Sequence, residues 1–256
     1  MDKLLFVIGA SSDMGCAAIK EVGGQYRTVV AHYLHMNEKL QALKDELGGR
    51  LVLVQADLSV EEQVYALIHA VEEQGIPDHI LHFPAPICNN QKFHKIKWDV
   101  FQKEMDISLK SFVLIGQALL PQMAKRGSGK VILMLSYVVS HIAPAYCSNY
   151  VVTKYAMLGL MRALATEYAG KGITVNGISP AWVNTKYIAN QPDILIRQNE
   201  AASPTGQLLE VTDIVPSIRF LLSDGADCIT GQNLTISCGT VSYTHLRAHE
   251  TRSNLV

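Results

Sequence analysis

Residues 4–22 read LLFVIGASSDMGCAAIKEV, and this stretch decides the fold class. Its first five residues form an apolar run, which is typical of a strand buried on both faces of a sheet. A turn of small residues from Gly9 to Gly15 follows, and the remaining residues have the period of a helix. Glycines in such a turn let the backbone approach a phosphate group at the helix N-terminus. Tight packing without a ligand is the alternative, and Asp13 would repel a phosphate unless its side chain turned away to cap the helix.

Strands and helices alternate along the rest of the chain. Runs rich in Val, Ile and Leu predict further strands at residues 28–33, 51–55, 79–83, 131–136, 174–179 and 233–236. Helical periods predict helices at residues 38–47, 61–74, 98–125, 149–169 and 213–222. Because this alternation is typical of βαβ units, we predict an α/β fold for residues 1–240. The expected architecture is a single-domain, Rossmann-type, doubly wound parallel sheet of about seven strands with helices on both faces.

One connection between these elements is long. Residues 183–209 carry Pro192, Pro204 and an apolar patch at residues 194–196. A connection of this length in a compact α/β domain is typical of a lid or a binding element, and we predict that role for it.

The composition excludes several classes of protein. With 48% hydrophobic and 18% charged residues, the chain has enough apolar side chains for a buried core, unlike a disordered or collagen-like chain. The net charge of −1 argues against nucleic acid or an anionic membrane as a partner. No apolar run approaches the ~20 residues of a membrane span. The five cysteines stand far apart without a Cys-x-x-Cys pair, so we predict no metal site and a cytoplasmic location.

The C-terminal residues differ in character from the rest. Residues 241–251 read VSYTHLRAHET, which resembles the translation of a transposon adapter used to prepare sequencing libraries. We therefore interpret residues 241–256 as a non-native tail and exclude them from the fold. A genuine polar tail is the alternative interpretation.

A second pattern carries candidate catalytic residues. Tyr150 and Lys154 are four residues apart, so on a helix their phenol and ammonium groups share one face. Ser136 ends a predicted strand, and ligands of doubly wound sheets bind at the carboxyl ends of the strands. The pattern predicts that these three side chains meet at a ligand, although a serine at a strand end is also a common turn residue.

In order and spacing, these motifs resemble those of the short-chain dehydrogenase/reductase family, including its 3-oxoacyl-acyl-carrier-protein reductases, over residues 4–239. Residues 9–15 resemble the family's Thr-Gly-x-x-x-Gly-x-Gly turn, and Ser136, Tyr150 and Lys154 resemble its catalytic triplet. The resemblance implies that Asp57 meets the adenine ring and that Thr185 lies beside the nicotinamide amide. The full set of predicted cofactor-binding residues is Gly9, Ser11, Ser12, Asp13, Met14, Gly15, His35, Asp57, Leu58, Phe83, Pro84, Ala85, Tyr150, Lys154, Pro180, Val183 and Thr185.

The chain departs from the family pattern at four positions. Asp13 stands at the central glycine of the turn, and Ala181 stands at the glycine of a Pro-Gly turn. Pro84 removes a backbone donor at the end of the fourth strand. Ser108 stands where the family has a helix asparagine that helps hold a water relay to the lysine, so it is our fourth catalytic candidate.

The resemblance implies an NAD(P)(H)-dependent oxidoreductase that interconverts a carbonyl and an alcohol by hydride transfer. Tyr150 would be the general acid and base, Ser136 would hold the substrate oxygen, and Lys154 would favour the phenolate and reach the nicotinamide ribose. A non-catalytic cofactor-binding sensor or scaffold, and an epimerase or dehydratase using the same tyrosine and lysine, are the alternatives.

The choice of cofactor depends on the end of the second strand. Residues 31–35 contain no carboxylate to bind a ribose 2′-hydroxyl, so we favour NADP(H) over NAD(H). His35 would offer the positive charge for a 2′-phosphate, or it is a solvated loop histidine.

The expected partner is a small-molecule carbonyl or alcohol substrate, and no nucleic acid or membrane. Apolar side chains predicted to flank it belong to Tyr146, Trp182, Tyr187, Ile194 and Leu195. A carrier-bound substrate is a further option, because Lys125, Arg126 and Lys171 could meet an acidic carrier. The resemblance of helices 98–125 and 149–169 to the family's dimer-forming pair predicts a homodimer or homotetramer.

Overall fold

The structure is a computed structural model that describes residues 2–87, 90–141, 143–189 and 191–240. Cys88 and residues 241–256, the predicted tail, lie outside the described residues. Seven parallel strands form one sheet in the order β3-β2-β1-β4-β5-β6-β7. Their bounds are Leu4–Ile8 (β1), Thr28–Tyr33 (β2), Leu51–Gln55 (β3), His79–His82 (β4), Gly129–Met134 (β5), Ile173–Pro180 (β6) and Asn233–Ile236 (β7). The predicted fold class is confirmed.

Helices cover both faces of this sheet. Their bounds are Asp13–Val22 (α1), Glu38–Leu47 (α2), Glu61–Gln74 (α3), Trp98–Met105 (α4), Ser111–Arg126 (α5), Ser148–Tyr168 (α6), Asp193–Ala202 (α7) and Val211–Leu222 (α8). Buried side chains of α3, α5 and α6, such as Leu67, Leu119 and Met161, pack on one face. Those of α1, α2 and α8 pack on the other. The burial of one apolar stripe per helix therefore explains the three layers.

The predicted helix at residues 98–125 is not regular throughout. A π-helical segment, Asp106–Lys110, joins α4 to α5, and short π segments are frequent at functional sites. By length and composition alone, the whole helix Trp98–Arg126 could cross a membrane. Phe112 and Ile115 are nevertheless fully buried inside the protein, as in a core helix.

The long connection after β6 is closed at its base. Val183 forms a parallel bridge with Leu209, the amide of Asn184 donates to the Leu209 carbonyl at 2.7 Å, and the Leu209 amide donates to the Trp182 carbonyl at 2.9 Å. Helix α7 lies inside this connection, which the sequence pattern represented only as an irregular stretch with an apolar patch. Its role as a lid or binding element stays a prediction.

Candidate active site

The candidate site lies at the carboxyl edge of the sheet. Strand β1 pairs with β2 on one side and with β4 on the other, so the chain reverses its direction of winding at β1. Ligands of doubly wound sheets bind at such a switch point. The predicted residues follow the strands that end there: the turn at residues 9–15 follows β1, residues 83–85 follow β4, Ser136 follows β5 and Thr185 follows β6.

The turn after β1 is tight and needs its glycines. Gly9 has φ +79°, which favours glycine, and a Cβ on Gly15 would lie 2.5 Å from the Gly9 carbonyl oxygen. Ser12 caps α1, since its Oγ accepts from the Gly15 amide at 3.0 Å and donates to the Gly9 carbonyl at 2.8 Å. Asn37 donates to the Ser11 carbonyl, which ties the turn to the start of α2. Met14, in the first turn of α1, packs against the core.

Asp13 does not cap the helix, because Ser12 does so. Its Oδ1 accepts from Lys39 Nζ at 2.6 Å, and its Oδ2 accepts from the backbone amide of Lys186 at 2.8 Å. Burial alone would raise the pKa of Asp13, but the hydrogen bond from Lys39, the Lys186 amide and their positive charge lower it below its ordinary value. The carboxylate is therefore ionised at neutral pH.

The segment after β4 closes over this turn. The Phe83 amide donates to the Ile8 carbonyl at 3.0 Å, and a Cβ on Gly9 would meet Pro84 N at 3.2 Å. Ser108, buried at the centre of the π segment, donates from Oγ to the Pro84 carbonyl at 3.3 Å. Its hydroxyl thus supports the backbone beside Ala85 at the site predicted for a cofactor.

The predicted catalytic residues gather at the end of β5. Lys154 is buried in α6, and its Nζ donates to the Met134 carbonyl at 2.8 Å. The same Nζ lies 5.6 Å from the centroid of the Tyr150 ring. Ser136 follows Met134 by two positions and is 7% exposed, with its Oγ 3.5 Å from the Val138 amide that donates to it. Phenol and ammonium are therefore adjacent to the strand end that carries the hydroxyl.

Burial strongly disfavours the charge on Lys154. Desolvation lowers the pKa of Lys154 to about 8, although the negative charge of Glu104 opposes this shift. Glu104 is 4% exposed, and its Oε2 accepts from the Asn149 side chain at 2.5 Å. Burial raises the pKa of Glu104 above its ordinary value, while Asn149 and Lys154 oppose the rise. A buried carboxylate thus faces the ammonium from the opposite helix.

His82 lies below the same site, at the end of β4. Neither of its ring nitrogens has a hydrogen-bond partner among the described residues, and its ring packs edge-on against Phe112 with a centroid distance of 5.1 Å. Burial, reinforced by the charge of Lys154, holds the pKa of His82 well below its ordinary value. The ring is therefore neutral at pH 7 and adds no charge to the site.

The residues predicted for the adenosine end lie beyond β2 and β3. Asp57 Oδ1 accepts from the amide and hydroxyl of Ser59 at 2.9 and 2.7 Å, and these bonds lower its pKa. Leu58 is buried, whereas His35 is exposed on the loop after β2. At the end of β6, Pro180 and Val183 are buried, and Thr185 Oγ1 donates to the Val183 carbonyl.

Two aromatic contacts lie on the side predicted to face the substrate. The Trp182 indole donates to the Tyr137 hydroxyl at 3.2 Å, and the rings of Tyr187 and Tyr150 lie 6.3 Å apart. Tyr187 thus brings the segment after β6 to the candidate catalytic tyrosine. Tyr146 and Ile194 are more than half exposed.

The candidate carrier-binding residues differ in their contacts. Arg126 donates to the carbonyls of Ile76 and Pro77 and lies 3.3 Å from Asp78, so its guanidinium supports a neighbouring loop. Lys171 lies over the Tyr168 ring. Lys125 is exposed at the end of α5.

Sequence reasoning missed three residues of the site. Lys39 and Glu104 lie far along the chain from Asp13 and Lys154, so no local pattern predicts these charge interactions. A signal for Glu104 did exist, because it lies at helical spacing from the buried Ser108 and Phe112 and therefore on the inner face. No sequence pattern distinguished His82 from other residues at the end of a strand.

These residues fit a nicotinamide dinucleotide over most of its length. The turn after β1 has no room for a side chain at Gly15, so its backbone can approach a phosphate group. A buried ammonium, a phenol and two hydroxyls supply donors for a nicotinamide and its ribose. At the phosphate position, the Asp13 carboxylate would have to move or be compensated.

Comparisons with known proteins show related sequences over nearly the whole chain. A family profile described as Enoyl-(Acyl carrier protein) reductase matches residues 9–241. The 3-oxoacyl-acyl-carrier-protein reductase FabG of Staphylococcus aureus is 30% identical over 242 residues, covering 93% of this chain and 98% of the relative. Oxidoreductase UcpA of Salmonella typhimurium is 29% identical over 250 residues, covering 93% of this chain and 94% of the relative.

Two solved structures share the fold. Levodione reductase superposes with a TM-score of 0.86 at 23% identity, covering 95% of this chain and 99% of the other. A 4-hydroxyisoleucine dehydrogenase complexed with NADH has a TM-score of 0.85 at 25% identity, covering 94% of this chain and 100% of the other. The protein is an NAD(P)-dependent oxidoreductase. Since the profile spans nearly the whole chain and the relatives match it in length, the chain belongs to the short-chain dehydrogenase/reductase family.

Proposed function

We propose that the protein interconverts a carbonyl and an alcohol with Tyr150 as the general acid and base. The observation that carries this proposal is the position of the Lys154 ammonium, which is anchored on the Met134 carbonyl and lies 5.6 Å from the Tyr150 ring centroid. A cation this close to a phenol favours the phenolate, which is the form that accepts a proton from an alcohol. Ser136 is adjacent to the anchor and would hold the substrate oxygen by a hydrogen bond.

The residues divide the work as follows. When bound, a nicotinamide cofactor supplies or accepts the hydride at the substrate carbon. In the reducing direction, the Tyr150 hydroxyl donates its proton to the substrate oxygen as negative charge develops there. Lys154 stabilises the phenolate that remains, and Glu104 supports the charge on Lys154 from the opposite helix. Ser108 keeps the backbone after β4 in place through the Pro84 carbonyl.

The test removes the hydroxyl group of Tyr150 and keeps its aromatic ring. Tyr150→Phe should lower kcat by about 10²–10⁴-fold on a panel of ketones, because the proton donor is lost. The Kd for NADPH, measured by the quenching of tryptophan fluorescence, should change little. Tyr65→Phe is the matched control, since Tyr65 lies on α3 and is 52% exposed. Turnover retained in Tyr150→Phe would remove the phenol from this role, and product formed without net cofactor consumption would indicate epimerisation or dehydration.

We further propose NADP(H) as the preferred cofactor. The absence of a carboxylate among residues 33–35 at the end of β2 leaves nothing there to bind a ribose 2′-hydroxyl or repel a 2′-phosphate. His35 is exposed on that loop, and Lys39 lies on the adjacent helix. Comparing NADPH with NADH in the same binding assay tests this preference.

The substrate that we propose is a partly apolar carbonyl compound, either as a small molecule or on a carrier. The name of the FabG relative specifies an acyl-carrier-protein substrate, and the aromatic rings of Trp182 and Tyr187 line the substrate side. We also propose a homo-oligomer. Exposed apolar side chains on the helices that would pair, Trp98 at 68%, Val152 at 48% and Tyr155 at 47%, support it.

A further inference from the structure

Asp13 links three parts of the chain that are distant in sequence. Its carboxylate takes a hydrogen bond from Lys39 on α2 and another from the main-chain amide of Lys186. Lys186 belongs to residues 181–189, here called the β6 segment, which follow β6 and carry Thr185 and Tyr187. The Asp13 side chain is only 9% exposed, so the carboxylate lies inside this contact and not on the surface.

The contacts of Asp13 lie at the position expected for the phosphate groups of a dinucleotide. The turn at residues 9–15 leads into the N-terminus of α1, at the switch point of the sheet. In sheets of this kind the phosphate groups lie at the N-terminus of that helix. The bond between Asp13 and the Lys186 amide joins the first turn of α1 to the segment after β6 at this edge of the sheet.

The carboxylate also takes up the groups that would attract a phosphate. A helix N-terminus favours an anion, and an ammonium and a main-chain amide are typical phosphate donors. In this protein the Lys39 ammonium and the Lys186 amide already donate to Asp13, which itself lies in the first turn of α1. A second anion at the same position would be repelled by an ionised carboxylate a few ångströms away.

We propose that Asp13 is an internal anion that holds the β6 segment closed over the phosphate position, so that cofactor binding requires the bond between Asp13 and the Lys186 amide to break. This inference rests on the proposed function, because it assumes that a nicotinamide dinucleotide binds at this edge. Asp13 thereby sets the cofactor affinity. Binding also releases the segment that carries Tyr187, so cofactor binding is coupled to the opening of the substrate side.

The first experiment measures cofactor affinity in the full-length chain. Asp13→Asn keeps the size of the side chain and removes its charge, while Asp13→Ala removes the side-chain contacts as well. Each should bind NADH and NADPH about tenfold more tightly than the wild-type protein, measured by calorimetry. Glu38→Gln is the matched control, because Glu38 is an exposed carboxylate in the first turn of α2. It should change the Kd by less than about twofold.

The second experiment measures the β6 segment without any cofactor. Hydrogen exchange of residues 181–189 should be about tenfold faster in Asp13→Ala than in the wild-type protein, because the Lys186 amide loses its acceptor. In the wild-type protein, adding NADPH should accelerate exchange of the Lys186 amide in the same way.

The outcomes separate this proposal from the proposed function. Unchanged or weaker binding in both Asp13 variants, with unchanged circular dichroism, would overturn the role of Asp13. Unchanged exchange of the β6 segment in Asp13→Ala would do so independently. Tighter binding together with full turnover in Tyr150→Phe would support the role of Asp13 and contradict the proposed catalytic step.

Discussion

The buried charge of Lys154 should cost the protein measurable stability. Burial lowers the pKa of its ammonium from 10.5 to about 8, so the unfolded chain binds this proton more tightly than the folded protein does. Below pH 8 the difference corresponds to about 3 kcal/mol of destabilisation. The cost fades as the pH rises from 8 towards 10.5, because the unfolded chain then also loses the proton.

Lys154→Met removes this pH-dependent cost. The substitution also deletes the hydrogen bond to the Met134 carbonyl, which costs ~1–3 kcal/mol at any pH, so the net change at one pH is not diagnostic. The diagnostic quantity is the difference between the net changes measured at two pH values. The stability of Lys154→Met relative to the wild-type protein should be about 2–3 kcal/mol more favourable at pH 7 than at pH 10.

Urea denaturation of both proteins at the two pH values measures this quantity, and changes in other titrating groups cancel in the comparison. Lys125→Met is the control, since Lys125 is exposed at the end of α5 and its ammonium stays in water on folding. A relative stability that is the same at pH 7 and pH 10, within about 0.5 kcal/mol, would refute the idea that Lys154 is held as a desolvated ammonium.

Two further substitutions test the polar groups around Lys154. Glu104→Gln keeps the hydrogen bond from Asn149 but removes the carboxylate that supports the ammonium, so the alkaline limb of the pH profile of kcat should move down by about one pH unit. Glu104→Asp should restore part of the shift, and an unmoved limb would exclude Glu104 as a positioning residue. His82→Leu removes two buried ring nitrogens that have no hydrogen-bond partner in the described part of the chain, so it should stabilise the protein by ~1–2 kcal/mol at pH 8. Because the unfolded histidine gains a proton below pH 6.5 and the buried one does not, the gain should be about 1 kcal/mol larger at pH 5.5. A loss of stability in urea denaturation would contradict the reasoning.

The sheet could be predicted from local patterns because each strand is a short apolar run between helical periods. The predicted strands at residues 4–8, 28–33, 51–55 and 233–236 coincide with β1, β2, β3 and β7. The tyrosine and lysine of the site were also predictable, since their spacing on one helix is a local property. Ser136 follows β5, the strand whose Met134 carbonyl anchors Lys154, and its place at this edge follows from the parallel topology.

The contacts that modify the site could not be predicted in this way. The bond between Asp13 and the Lys186 amide joins residues 173 positions apart, and a carboxylate in a first helical turn normally indicates only favourable dipole interactions. The π segment around Ser108 could not be predicted either, because its residues have an ordinary helical pattern. Helix α7 was hidden by the two prolines that flank its segment.

The closure at the base of the long connection has an evolutionary consequence. Val183 and Leu209 are held side by side by main-chain bonds, so the chain between them leaves and re-enters the fold at nearly one point. The entropic cost of closing such a loop grows only with the logarithm of its length. Insertions or deletions between these anchors can therefore accumulate without disturbing the strands, and the framework that positions the site can be inherited unchanged.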